Sequence, residues 1–71
     1  MMLSELEPDE WARIVAIEGG KGLRQRLFLR GLTEGSIVRI ISSRGPITVE
    51  VDRNTVSMGR GMAGRVRIVR L

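Results

Sequence analysis

The residues best able to do chemistry in this chain are its arginines, because the usual catalytic and metal-binding side chains are absent. There is no cysteine and no histidine among the 71 residues. Those two types supply the common ligands for zinc, copper and non-haem iron, and histidine is also the commonest general base. A metal could still use carboxylate and carbonyl oxygen, but the eight acids are scattered along the chain. The sequence therefore predicts no catalytic residue, no resident metal and no cofactor.

The basic residues are twelve, eleven of them arginine, giving a net charge of +4. Arginine suits bidentate contacts to carboxylate or phosphate better than lysine does. The charge is unevenly placed. Residues 1–20 hold Glu5, Glu7, Asp9, Glu10 and Glu18 against Arg13 alone, whereas eleven bases follow from Lys21 onward. Such an acidic leader and basic body can pair with one another, or the body can face an anionic partner. Nucleic acid is disfavoured as that partner, since Trp11 and Phe28 are the only aromatic residues available for base stacking. Gly59 and Gly61 do not form a phosphate loop either, because no Gly-Lys-Ser/Thr end follows them.

The apolar residues most available for recognition lie around residues 23–32. Leu23, Leu27, Phe28 and Leu29 cover more of a helix than one core face requires. Phe28 and Leu29 are candidate anchors for a protein partner, with Leu23, Arg26, Leu27 and Leu32 completing the expected surface. Met58 and Met62 read as core fillers, and Trp11 as packing against the leader.

The elements that must position these residues form one small domain, with no linker or repeat. Leu3 and Leu6 read as an apolar clip ahead of the turn signal Pro8-Asp9. Residues 11–17 read as a strand with apolar residues in both alternating sets, which suggests cover on both faces or a bulge. A helix is expected over 23–30, ending at Gly31 in the left-handed conformation. A turn at 32–35 leads to a strand over 37–41, with Val38 and Ile40 on one face and Arg39 on the other. A loop ending in Gly45-Pro46 precedes the clean alternation Ile47, Val49, Val51. Asp52-Arg53-Asn54 gives a tight reversal into residues 55–58. One helical turn near 59–63 and a last strand over 65–69, with Val66 and Ile68 inward, complete the chain. Gly31, Gly35, Gly45 and Pro46 are read as structural turn residues. Five strands and one short helix inserted after the first predict a mainly β fold, a small SH3-like barrel whose closure removes the exposed edges.

Two segments add a family resemblance. Arg24-Gln25-Arg26-Leu27 through Gly31-Leu32-Thr33-Glu34-Gly35 resembles the R-L-x-x-x-G-[LIM]-x-x-G signature of ferrous iron transport protein A, the FeoA family. Val56-Ser57-Met58-Gly59-Arg60-Gly61-Met62-Ala63, followed by Val66-Arg67-Ile68, resembles that family's closing hairpin. The resemblance spans nearly the whole chain. It departs from the family at Arg30, where relatives carry Leu or Met, and at Glu34, where proline is common. Only the Gly45-Pro46 end of the family's A-P-x-G-x-P loop is kept. The resemblance implies a small accessory of bacterial or archaeal ferrous iron uptake, docking on the cytosolic GTPase part of the membrane transporter and modulating its assembly or activity. No bound DNA or RNA and no membrane insertion are expected, and a weak homo-oligomer is compatible. With an acidic N-terminus and no apolar run approaching the roughly 20 residues of a membrane span, the chain is expected in the cytoplasm, at the membrane's inner face through its partner. Two alternative readings are a basic nucleic-acid-binding barrel and a metal-sensing module like the C-terminal domain of metal-dependent repressors.

Overall fold

The alternation of apolar and polar residues becomes five antiparallel strands in the computed structural model, which describes residues 1–71. They are β1 (Trp11–Ile17), β2 (Ile37–Ser42), β3 (Ile47–Val51), β4 (Asn54–Met58) and β5 (Val66–Arg70). Helix α1 (Lys21–Leu29) joins β1 to β2, and the single turn α2 (Arg60–Ala63) joins β4 to β5. The strands lie in the order β4-β3-β2-β1-β5.

One expectation is corrected here. The sheet does not close: no ladder joins β4 to β5, so the fold is an open, SH3-like sheet rather than a fully paired barrel. The chain from Gly59 to Arg65 forms α2 and its flanks between those two strands. Closure is therefore unavailable as the means of hiding the edges, and local contacts cover them instead. On β5, Met2 bridges to Arg67, and the Ile68 N–H donates to the Met1 carbonyl at 2.8 Å. On β4, the Arg30 guanidinium donates to the Ser57 carbonyl at 3.1 Å.

The core comprises 17 buried residues, all apolar. Ala12, Ile14, Val38, Ile40, Ile47, Val49, Val66 and Ile68 come from the inward sets of the strands, as alternation requires. Leu3 and Leu6 close one end. They flank a 3-10 turn (Leu3–Glu5) whose Glu5 carboxylate accepts from the Met2 N–H at 2.6 Å. A register shift between Ile14 and Ala16 is the bulge suggested by the mixed apolar sets of β1. It turns Ile17 inward while leaving Val15 exposed.

The acidic leader pairs with the basic body. Asp9 meets Arg39 at 3.0 Å, Glu10 meets Arg70 at 2.9 Å, and Glu18 pairs with Arg67. Arg39 also reaches Glu50 at 3.2 Å. These contacts fasten the start of the chain onto the outer side of β2 and β5, while the buried leucines fasten it from within.

Candidate functional site

Helix α1 has little reason to form alone, since nine residues are too few for a stable helix in water. Its anchorage to the body is narrow. Leu27 is buried, Leu23 is half-buried against the core, and no other residue of the helix is covered. The C-terminus is fixed more firmly. Gly31 takes φ +92°, its N–H donates to the Phe28 carbonyl, and the Leu32 N–H donates to the Leu27 carbonyl, both at 2.9 Å. This pair of bonds is a Schellman stop, with Leu27 and Leu32 as its apolar contact.

That geometry corrects two of the expected recognition residues. Leu27 and Leu32 are at most 1% exposed, so neither can touch a partner. The Schellman stop folds Leu32 back into the core beneath Leu27. Leu23 is mainly a packing residue, and Arg26 is exposed and forms no ion pair. Phe28 and Leu29, by contrast, are 64% and 77% exposed. At 100° per residue they flank the outward pole of α1, with Gln25 between them and the core-facing Leu23 and Leu27 behind. Gly35 takes φ +95° and Gly45 φ +68° in their turns, and Pro46 follows Gly45 on the exposed β2–β3 loop.

A groove of about 360 Å³ runs beside this pole. Lys21, Arg24, Gln25 and Phe28 form one wall, Thr33 and Glu34 the other, and Ile17 the floor. The wall residues recur at i, i+3, i+4 and i+7, the spacing of a single helical face. That spacing was the available signal for Lys21, Arg24 and Gln25, which attention to apolar residues alone passes over. Glu34, standing where proline is common in the resembled family, ties the two walls together. Both of its carboxylate oxygens accept from one Arg24 nitrogen at 3.1 Å. The Thr33–Ser36 turn is itself stitched to β1, since the Gly35 N–H donates to Ile14 at 2.7 Å and Ile14 donates to Ser36 at 2.9 Å. The outward pole and groove are thus held at their C-terminal end and across the Arg24–Glu34 pair, although the rest of the helix is lightly packed.

Trp11, expected against the leader, is half exposed on the outer face of β1, with the Arg39 guanidinium carbon 6.0 Å from its ring centre. No group of three or more acids lies close enough to hold a metal ion. No helix is long and apolar enough to cross a membrane.

Open five-stranded order, the helix after the first strand and the one-turn link before the last define the class: an SH3-like domain of the kind found nearly alone and as part of a manganese-dependent transcriptional repressor. Residues 1–70 match the FeoA domain model, and the chain belongs to that family. A crystal structure of an iron uptake regulatory protein, FeoA, superposes with TM-score 0.93 at 38% identity, covering 100% of this chain and 96% of that one. The solution structure of the FeoA protein from Chlorobium tepidum superposes at 0.89 with 26% identity, covering 100% and 70%. The T. acidophilum protein IdeR superposes at 0.93 with 25% identity, and there this chain spans 34% of the larger molecule. A manganese-dependent transcriptional repressor at 21% identity and TM-score 0.91 shares the fold. No curated protein sequence matches the chain.

Proposed function

We propose that this protein is an accessory of ferrous iron uptake that acts by docking on the cytosolic GTPase part of the membrane transporter. The family supplies the iron-uptake context. One structural observation supports the docking mode: α1 leaves Phe28 and Leu29 exposed on either side of its outward pole, on a helix whose C-terminal end is fixed by the Gly31 stop. Two large apolar side chains held in one orientation lose little freedom when a partner covers them, which favours them as anchors. The adjoining groove receives a side chain of the partner, with Lys21 in its wall steering an acidic surface toward it. Docking through this pole modulates the assembly or activity of the transporter without transfer of iron through the accessory. The protein works in the cytoplasm and reaches the inner face of the membrane through its partner.

The test is co-purification of the full chain with the transporter's membrane subunit, wild type against Phe28→Ala and Leu29→Asp. Loss of an interface anchor weakens binding by about 2 kcal/mol, or roughly 30-fold. Both side chains are exposed, so circular dichroism should stay unchanged. Association at wild-type strength in both variants refutes docking through α1 while leaving membership of the family untouched.

A further inference from the structure

The outer face of the sheet carries a second surface, apart from α1. Across β2, β1 and β5 the register places Ile37 opposite Arg13 on one side and Val69 opposite it on the other. Along β1, Trp11 and Val15 stand two residues before and after Arg13 on the same strand. Arg13 is therefore surrounded in all four directions by apolar side chains, each between 38% and 49% exposed. Leu71 extends the strip, its N–H donating to the Trp11 carbonyl at 3.0 Å.

Charge distinguishes Arg13 from its neighbours. Arg39 is neutralised by Asp9 and Glu50, Arg67 by Glu18, and Arg70 by Glu10. Arg13 has no acid within ion-pair distance, although it lies in the middle of the apolar strip. We propose that this face binds an acidic, apolar segment of a partner protein, whose carboxylate pairs with Arg13 while flanking apolar side chains cover Trp11, Ile37 and Val69. A guanidinium ringed by apolar groups offers a carboxylate two parallel hydrogen bonds in partly desolvated surroundings, where such a pair is strongest.

Other occupants fit less well. A second copy related by two-fold symmetry brings Arg13 toward its own counterpart with no acid between them. A membrane or nucleic-acid surface rewards many free cations, and here the neighbouring three are already paired.

The experiment is an NMR titration of the full chain with a short synthetic peptide in which one Glu is flanked by Leu and Phe. Sister peptides carry Gln or Lys in place of Glu. The Glu peptide should shift the amides of Trp11 to Val15, Ile37 and Val69 and bind about tenfold tighter than the Gln peptide, the difference made by the charge-assisted pair. Arg13→Glu should reverse the order, preferring the Lys peptide, an exchange that a merely structural role for Arg13 does not produce. Arg13→Gln, which removes the charge without reversing it, should bind the Glu and Gln peptides equally. Equal binding of both peptides to the wild type overturns the proposal, as do shifts confined to α1. Phosphatidylserine vesicles that bind the wild type but not Arg13→Glu, or a dimer that this change dissolves, overturn it by assigning the face to lipid or to a second copy.

Discussion

Arg53 is the residue whose conformation departs furthest from its chemistry. The β3–β4 reversal uses two central residues, Asp52 at φ +49° and Arg53 at φ +69°, both left-handed. Such a two-residue link matches the twist of the flanking strands, and glycine is its preferred second residue. Asp tolerates this region, whereas an arginine there pays roughly 1 kcal/mol in steric strain. Arg53 is exposed and forms no ion pair, so nothing visible compensates. Arg53→Gly should therefore raise the thermal midpoint by about 4–8 °C, read by calorimetry or circular dichroism. No change, or a fall, would mean that glycine's added freedom in the unfolded chain outweighs the strain relieved. The reversal at 52–54 was legible from residue types. Its strain was not, because an Asp-Arg pair carries no glycine to announce a left-handed turn.

At the scale of elements, α1 joins what the sequence states plainly to what it hides. Gly31 as a stop was readable, and the helix ends within one residue of the expected place. Its start was not. The helix begins at Lys21 rather than Leu23, because Gly20 occupies the N-cap without a side chain to signal it and Gly22 is tolerated inside the first turn. The two glycines predict opposite outcomes. Gly22 has open space around a built Cβ and ordinary helical geometry, so Gly22→Ala should stabilise by about 0.5–1 kcal/mol. Gly31 also has open space, but its φ of +92° strains any L side chain, so Gly31→Ala should destabilise by about 1–2 kcal/mol. Urea melts of both variants check the pair, and a matching sign would contradict this account of α1. Leu27 and Leu32 show why the site was harder to read than the strand pattern. Counting apolar residues makes Leu27 one of four on a helix that needs fewer for its core face and leaves Leu32 in the following turn, but the Schellman stop brings Leu32 under the helix and uses both in the core. The strands were simpler, since Ile47, Val49 and Val51 alternate strictly and lie inward as written. The open edge between β4 and β5 was illegible for a different reason, because pairing of sequence neighbours across a one-turn link depends on where that link packs.

At the scale of the whole molecule, two systems hold the leader to the body, and their magnitudes differ. The ion pairs of Asp9, Glu10 and Glu18 join partly exposed side chains, a class worth about 0–1 kcal/mol each. Leu3 and Leu6 are almost wholly buried, and the turn between them packs against β5 and α2. Truncating such a leucine costs about 2–5 kcal/mol in lost transfer energy and residual cavity. A domain this small has only about 5 kcal/mol in total. The apolar clip therefore decides whether the chain folds, while the charges adjust its surface. Leu3→Ala should leave a measurable unfolded fraction at 25 °C and lower the urea midpoint sharply. Glu10→Gln, which breaks the pair with Arg70, should shift it by less than the equivalent of about 1 kcal/mol. Leu3→Ala also loosens Met1 and Met2 from the edge of β5, so the variant should self-associate more readily as that edge becomes free to pair. Comparable losses from both substitutions, measured in the same urea series, would place the leader's hold in its charges and reverse this ranking.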